Sequence, residues 1–169
     1  MRASQEGEIM ASINNIQVKG VKCFMGEEGP ALQGNVYYKG KKLGLWSQDS
    51  WGGPDWFGFK TDIIEAEINK YYESKYGKDE PKLCCEEIFF EDLVRLSDDE
   101  KTYKKGVKLG YPVMVKFTDG YHVGGYHAKS KDGHPNLKKL EEFKKTAYKN
   151  KEVSVVVYDG LEKFNVVVG

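Results

Sequence analysis

Cysteine is scarce in this chain of 169 residues, and its few cysteines exclude a disulfide framework. Cys84 and Cys85 are adjacent, so a bond between them would be hard to close, and Cys23 makes the count odd. This pattern is typical of reduced thiols in a cytosolic protein. No window approaches the roughly 18 consecutive apolar residues of a membrane span, which excludes a transmembrane helix.

The N-terminus lacks the features of a secretory signal. Its first segment, MRASQEGEIMASIN, contains one arginine but no apolar stretch that could insert into a membrane. We expect residues 1–12 to be a disordered leader, with Met10 as an alternative start. Together with the reduced thiols, these features predict a soluble, intracellular protein.

Common catalytic motifs are also absent. The chain has no G-x-S-x-G, no G-x-G-x-x-G after a strand and no Walker A motif. Its paired carboxylates are explained by a solvated helix face and by a helix start. We therefore predict no catalytic residue and no cofactor. The alternative is a hydrolase or nuclease whose acids are arranged by the fold beside His122 or His134.

The histidines and cysteines do not have the spacing of a metal site. His122 and His127 are five residues apart, so on one strand their side chains point to opposite faces. Cys84 and Cys85 lack C-x-x-C spacing, and adjacent helix positions diverge by about 100°. No metal site is predicted.

The 26 basic and 26 acidic residues cancel, which disfavours both a protein that wraps nucleic acid by charge and an acidic mimic of DNA. A neutral total still permits local patches. Arginine, the better reader of bases, occurs only at Arg2 and Arg95. Lysines crowd the last predicted helix and its exit, where we predict an alternative nucleic-acid interface: Lys138, Lys139, Lys144, Lys145 and Lys149.

The first third of the chain alternates apolar and polar residues, as β-strands do. A strand is predicted from Ile16 to Phe24, with a bulge at Gly20. Two more are predicted from Ala31 to Tyr38 and from Leu43 to about Gln48, joined by a tight turn at Lys39 to Lys42. We expect these strands to form a β-meander.

The middle of the chain has apolar residues at helical spacing. A helix is predicted with Asp62 as its N-cap and Gly77 as its end. A second helix is predicted from Leu83 to Leu96. The S-x-x-E spacing at Ser97 predicts a separate short helix, which Gly110 ends.

The sequence pattern of the last third of the chain predicts two hairpins, one on either side of a helix. The first hairpin spans Val113 to His127 and turns at Asp119-Gly120. The second spans Val153 to Val168 and turns at Asp159-Gly160. Asn136 is predicted to cap the helix between them.

Strands outnumber helices and hairpins dominate, so we predict an α+β fold. Its mainly antiparallel sheet would contain the N-terminal meander and the two C-terminal hairpins, packed with three to four helices. Residues 13–169 are predicted to form a single domain. Its expected sub-divisions are a meander over 13–60, a helical part over 61–110 and a ββαββ part over 111–169.

All three tryptophans lie in one stretch, LWSQDSWGGPDWFGF, from Leu45 to Phe59. Trp46 ends a strand, so we predict that it belongs to the core. The Gly-Gly-Pro-Asp segment between the other two is typical of a shaped loop, and exposed tryptophans are enriched at protein–protein hot spots. Burial of the loop over the sheet is the open alternative. The predicted partner-binding residues are Trp51, Asp55, Trp56 and Phe57.

Residues 13–60 combine a V-K-x-F-x-G-x-E-G strand and turn, a Y-Y-x-G-K-K hairpin, and an aromatic segment rich in Gly and Asp. In this pattern the chain resembles small proteins carried by phages and mobile elements of Firmicutes, some of which are anti-CRISPR inhibitors of the type II effector Cas9. The resemblance implies a non-enzymatic protein in the bacterial cytoplasm. Such a protein would bind Cas9 with its guide RNA and block DNA binding or cleavage.

Overall fold

The structure is a computed structural model and describes residues 10–129, 136–147 and 152–168. Within these residues the backbone forms nine β-strands, three α-helices and one short 3-10 helix. The described residues group into two compact units. The first unit contains residues 10–98 and 164–168, and the second contains the described part of 99–163.

The first unit is built on a sheet with the strand order β5-β4-β3-β2-β1-β9. Its neighbouring strands are antiparallel except β1 and β9, which run parallel. The strands are β1 (Ser12–Ile13), β2 (Ile16–Gly26), β3 (Gly29–Tyr38), β4 (Lys41–Gln48), β5 (Trp56–Phe57) and β9 (Asn165–Val166).

Local backbone chemistry explains the shape of this meander. Lys39 and Gly40 both have positive φ, 49° and 80°, as a tight hairpin turn between twisted strands requires. Gly20 has a φ of 63°, and the register between β2 and β3 shifts between Lys19 and Lys22. The predicted meander, its tight turn and its bulge are therefore confirmed.

Helix α1 (Asp62–Tyr76) presents one apolar face to the first unit's core, because Ile64, Ile68 and Tyr72 recur every four residues and are buried. Gly77 ends the helix with a φ of 103°. The predicted N-cap at Asp62 is wrong by one residue. Thr61 holds that position and makes no side-chain cap, while Asp62 lies in the first turn.

Helix α2 (Cys85–Lys108) is one continuous helix, so the separate helix predicted to begin at Ser97 is wrong. No glycine or proline interrupts the chain there, and the S-x-x-E pattern lies inside the helix. Glu100 is buried and pairs with Lys104 one turn later, at 2.5 Å. Gly110, with a φ of 89°, ends α2 as predicted.

The core of the first unit is aromatic at its centre. Trp46 and Phe90 are buried and stack with ring centroids 5.1 Å apart, and Phe89 meets Phe90 edge-on at 5.3 Å. Around them pack β-branched residues of β1 to β3 and the apolar face of α1.

The second unit has a three-stranded antiparallel sheet with the order β7-β6-β8. Its core joins alternate residues of β6 to Leu140 and Phe143 of α3. Asn136 caps α3 as predicted, because its side chain accepts a hydrogen bond from Lys139 N. The elements are β6 (Val113–Thr118), β7 (Val123–Ala128), α3 (Leu137–Thr146) and β8 (Ser154–Tyr158).

The first predicted C-terminal hairpin forms, but with a wider connection. Thr118 pairs with Val123, so four residues connect β6 to β7 instead of the two predicted. The Asp119 carboxylate accepts hydrogen bonds from Tyr121 N and His122 N, which favours this longer turn over a tight one.

The second predicted hairpin, Val153 to Val168, is wrong. Strand β8 pairs with β6 instead. The chain then forms a 3-10 helix (Leu161–Phe164) and enters the other sheet as β9. Phe164 is fully buried and Val166 packs on the first unit's core, so apolar burial outweighs the local turn signal.

The predicted α+β class and the mainly antiparallel pairing are confirmed, although the strands form two sheets and not one. The single domain over 13–169 stays a prediction. Residues 1–9 of the predicted leader lie outside the described residues, whereas Ala11 and Ser12 are buried.

Asn14 joins three elements of the first unit. Its backbone N–H donates to Val166 O at 2.8 Å, and its side chain donates to Glu67 O of α1 at 3.1 Å. Its Oδ1 accepts from Val168 N at 2.8 Å. Asn14 is buried and has a positive φ of 48°, a backbone conformation that asparagine tolerates better than most residues.

We expect Asn14→Ala to lower the free energy of unfolding by about 1–3 kcal/mol more than Asn15→Ala, as measured by chemical denaturation. Asn15 is the matched control because it has a similar positive φ, 64°, but is exposed. Subtracting its effect removes the backbone cost and leaves the cost of the lost hydrogen bonds. Equal destabilisation by the two variants would contradict this role of Asn14.

Candidate functional site

The loop between β4 and β5, residues 49–55, is held by its own aspartates. The Asp49 carboxylate accepts hydrogen bonds from Trp51 N at 3.1 Å and from Gly53 N at 3.3 Å. Gly52 has a φ of 73°, which a residue with a side chain rarely adopts. The backbone around Trp51 is therefore fixed locally, even though the loop is largely exposed. We call this loop together with strand β5, residues 49–57, the tryptophan loop.

Asp55 ties the far end of the tryptophan loop to the core. Its Oδ2 accepts a 2.7 Å hydrogen bond from Trp46 Nε1, and its Oδ1 accepts a 3.0 Å bond from Gln48 Nε2. Burial raises the pKa of the Asp55 carboxyl above its ordinary value. The two hydrogen bonds oppose this rise, and the negative charges of Glu87 and Glu91 add to it.

The three tryptophans have different surroundings. Trp46 is fully buried, which confirms its predicted place in the core. Trp51 is 64% exposed and Trp56 is 56% exposed. The two side chains that flank the Gly-Gly-Pro-Asp segment therefore lie at the surface.

The other two predicted partner-binding residues face the protein itself. Asp55 is half-buried and bonds to Trp46 and Gln48, so it positions the loop. Phe57 is half-buried, with its ring 5.5 Å from Phe59 and 5.6 Å from Phe90. Residues 56 and 57 form β5 rather than loop, because they pair with β4. Strand alternation then turns Trp56 outward and Phe57 inward.

The end of the β2–β3 hairpin lies beside the tryptophan loop, which the sequence did not indicate. A Cβ placed on Gly26 would clash with Ser50 Oγ, so the hairpin and the loop are in close contact there. Met25, next to Gly26, is 81% exposed. The second half of β2 is exposed on both faces, and period-two alternation gives no sign of this.

Charge is distributed unevenly along the chain, although the total is zero. Residues 10–98 contain 15 acidic and 11 basic side chains, whereas residues 99–163 contain 9 acidic and 14 basic ones. The tryptophan loop therefore belongs to an acidic unit, and the predicted lysine interface belongs to a basic one.

The lysines of the predicted nucleic-acid interface lie on α3, apart from Lys149, which is outside the described residues. Lys138 and Lys145 are exposed. Lys139 Nζ lies 4.9 Å from the centroid of the Tyr126 ring, and Lys144 Nζ is 3.2 Å from Glu141 Oε1. Exposed pairs of this kind are weak and leave both lysines accessible.

The histidines have separate local partners. His122 Nδ1 is 3.0 Å from Asp119 Oδ2, and His127 lies so close to Gly106 that a Cβ there would be 2.5 Å from its Nδ1. His134 is outside the described residues. Among the described residues, no group of three or more His, Cys, Asp or Glu side chains could hold a metal ion.

The second unit contains an open cavity of about 400 Å³ between α2 and the β7 side of its sheet. Its charged lining residues, Lys116 and Asp99, form an ion pair with each other. Thr102, Gly125 and His127 are among the other residues that line the cavity.

Comparisons with known proteins returned no match to this chain, whether with family models, curated proteins or solved structures. None of the helices among the described residues is both long and apolar enough to cross a membrane. The functional argument therefore depends on the geometry of the chain's own residues.

We expect the stability difference between the wild type and Asp55→Asn to grow in favour of the wild type as the pH falls from 7 towards 4. Because the folded-state pKa of Asp55 is raised, the folded protein takes up a proton before the unfolded chain does, and this stabilises the fold. Asparagine cannot titrate. Titrating groups that do not interact with Asp55 are common to both proteins, so their contributions cancel in the difference.

The measurement is a set of paired urea denaturation curves at several pH values. A difference that stays constant, or that shrinks as the pH falls, would show that the Asp55 pKa is not raised.

Proposed function

We propose that this chain is a non-enzymatic binding protein that contacts a protein partner through Trp51 and Trp56. The observation that carries the proposal is that both side chains are more than half exposed, Trp51 on a loop that internal hydrogen bonds hold in place and Trp56 on the strand β5 that follows it. Large aromatic side chains at a fixed position lose little entropy on binding, and they dominate many protein interfaces.

We further propose that the partner is a Cas9-type nuclease with its guide RNA, and that binding inhibits DNA binding or cleavage in the bacterial cytoplasm. The support for this is the resemblance of residues 13–60 to proteins of phages and mobile elements. The tryptophan loop and the hairpin beside it both lie within those residues.

We expect Trp51→Ala and Trp56→Ala each to weaken binding to such a nuclease by about 30-fold, which corresponds to about 2 kcal/mol for a hot-spot residue. Binding would be measured by titration against recombinant type II nucleases loaded with guide RNA, and inhibition by a DNA cleavage assay. Both variants should keep the wild-type Tm, because neither side chain is part of the core.

Tyr121→Ala is the matched control for these variants. Tyr121 is an aromatic residue with similar exposure, 67%, but it belongs to the second unit. Its replacement should leave binding unchanged. If the wild type neither binds nor inhibits any of several type II nucleases, the proposed partner is wrong. If binding survives both tryptophan substitutions, the proposed surface is wrong.

A second candidate function is nucleic-acid binding by the second unit, which its excess of basic residues favours. We expect the combined variant with glutamine at Lys138, Lys139, Lys144 and Lys145 to lose any gel shift that the wild type shows at low salt.

The matched control for the lysine variant also removes four positive charges, with glutamine at Lys39, Lys41, Lys42 and Lys60 of the first unit. All four of these lysines are exposed. This function is supported if the wild type and the control variant both shift the nucleic acid and the α3 variant does not. If the wild type shows no gel shift at low salt, the nucleic-acid-binding function is wrong.

A further inference from the structure

One face of the first unit's sheet is turned away from the core. Along β2, β3 and β4 the inward residues Val18, Val36 and Trp46 are buried, so strand alternation turns their neighbours outward. Residues paired across strands share a face. The pairing places the outward residues in four rows, which we call the outer face: Gln17, Tyr37 and Lys42; Lys19, Asn35 and Leu45; Lys22, Gln33, Ser47 and Trp56; Phe24 and Ala31.

The outer face is basic, although the first unit as a whole is acidic. The strands of this sheet contain four lysines and no aspartate or glutamate. Lys19, Lys22 and Lys42 belong to the outer face, and none of them forms an ion pair with another residue that the structure describes. A surface that only keeps a protein in solution mixes both signs of charge. Lysines alone favour an anionic ligand. The acidic residues nearest in sequence lie in the turn and loop at one end of these strands: Glu27, Glu28 and Asp49.

Three aromatic side chains are spread over the outer face. Phe24 is 53% exposed and Trp56 is 56% exposed. Tyr37 is half-buried, and Lys19 Nζ lies 4.5 Å from the centroid of its ring. Strand and residue spacings put the three positions about 14–20 Å apart. The rings are therefore too far apart to pack on one another, and each can stack on a separate planar group.

Polar side chains lie between these rings. Within the described part of the chain, the side chains of Gln33, Asn35 and Ser47 form no hydrogen bond, and Gln17 donates one, to Met10 O at 3.3 Å. Amide and hydroxyl groups both donate and accept hydrogen bonds. They can therefore bind the edges of bases and the 2′-hydroxyl groups that distinguish RNA from DNA.

From this charge complementarity and the spacing of the rings, we propose that the outer face binds single-stranded RNA. Phe24, Tyr37 and Trp56 would each stack on one base, and Lys19 and Lys22 would contact phosphates, as on other sheets that bind single strands. A duplex keeps its bases paired and would leave the three rings unused. The inference goes beyond the proposed function: it needs no protein partner and shares only Trp56 with the proposed contact surface.

The test uses the whole chain and fluorescein-labelled octamers, a length within the range of about 4–16 nucleotides that one single-strand-binding domain covers. The probes are oligouridine RNA, the same sequence as DNA, and a ribose-phosphate chain of equal charge without bases. Binding is measured by fluorescence anisotropy at low salt. We expect the RNA to bind at least about tenfold more tightly than the chain without bases, because stacking is lost. It should bind about threefold more tightly than the DNA, because the 2′-hydroxyl hydrogen bonds are lost.

Aromatic variants locate the stacking surface. Phe24→Ala, Tyr37→Ala and Trp56→Ala should each weaken RNA binding about tenfold. Tyr37→Phe keeps the ring and should bind as the wild type does. Tyr76→Ala is the matched control, because Tyr76 is 45% exposed in the same unit but lies on α1, which packs against the opposite face of the sheet. It should leave binding unchanged.

The salt dependence of binding tests the lysines. Each lysine that pairs with a phosphate of a single strand contributes about 0.7 to the slope of log K against log salt, so Lys19→Gln/Lys22→Gln should reduce the magnitude of that slope by about 1.4. The matched control, Lys70→Gln/Lys78→Gln, also removes two exposed positive charges from the first unit, but from α1 and the turn after it. Its slope should equal that of the wild type.

The outcomes separate this proposal from both candidate functions. Equal binding of the RNA and the chain without bases, or unchanged binding in all three aromatic variants, overturns the proposal. Equal binding of RNA and DNA overturns the assignment to RNA. If the α3 variant loses binding and Lys19→Gln/Lys22→Gln keeps it, the proposal is wrong and the second candidate function stands. If RNA binds selectively but no type II nuclease binds, the proposal stands and the nuclease is wrong as the partner.

Discussion

The hydrogen bond from Trp46 Nε1 to Asp55 is the interaction on which the first unit and its surface both depend. Trp46 lies at the centre of the core and stacks on Phe90, but a buried indole N–H without an acceptor would cost about 1–3 kcal/mol. Asp55, at the end of the loop that follows β4, accepts this hydrogen bond and so removes that cost. The same carboxylate sets where the chain re-enters the sheet as β5, and β5 turns Trp56 to the surface. The core and the proposed contact surface therefore share one anchor.

The surroundings of Asp55 disfavour its negative charge. Burial and the charges of Glu87 and Glu91 raise the pKa of Asp55, whereas its hydrogen bonds from Trp46 and Gln48 favour the ionised form and oppose that rise. Asp55 is thus subject to repulsion from two carboxylates of α2, whereas Asp92 on the same helix has two cations nearby. Proteins often retain such unfavourable local arrangements at functional sites and compensate for them elsewhere in the fold.

Local patterns predicted the elements that local chemistry decides. Alternation, positive-φ turn residues and the Asn136 cap located the meander and α3, and strand position placed Trp46 in the core. Predictions were wrong where the burial of side chains against elements distant in sequence decided the structure. Asp159-Gly160 has the composition of a hairpin turn, but burial of Phe164 and Val166 draws the chain into the other sheet. Ser97 has the pattern of a helix start, but it lies inside α2.

At the candidate site, the sequence pattern identified Trp51 and Trp56 as candidates for an exposed contact surface, and both are exposed. The position of Met25 beside the loop and the inward positions of Asp55 and Phe57 depend on contacts between segments that no local pattern encodes.

The parallel pairing of β9 with β1 has a consequence for synthesis of the chain. Strand β1 begins at Ser12, and its outer neighbour consists of residues 165 and 166, so the first unit is discontinuous in sequence. During translation the sheet stays open along β1 until the whole of the second unit's sequence has been made. An exposed strand edge is a template for pairing with other chains. The nascent protein thus carries this edge, with the core residues beside it, until residues 165 and 166 have been made.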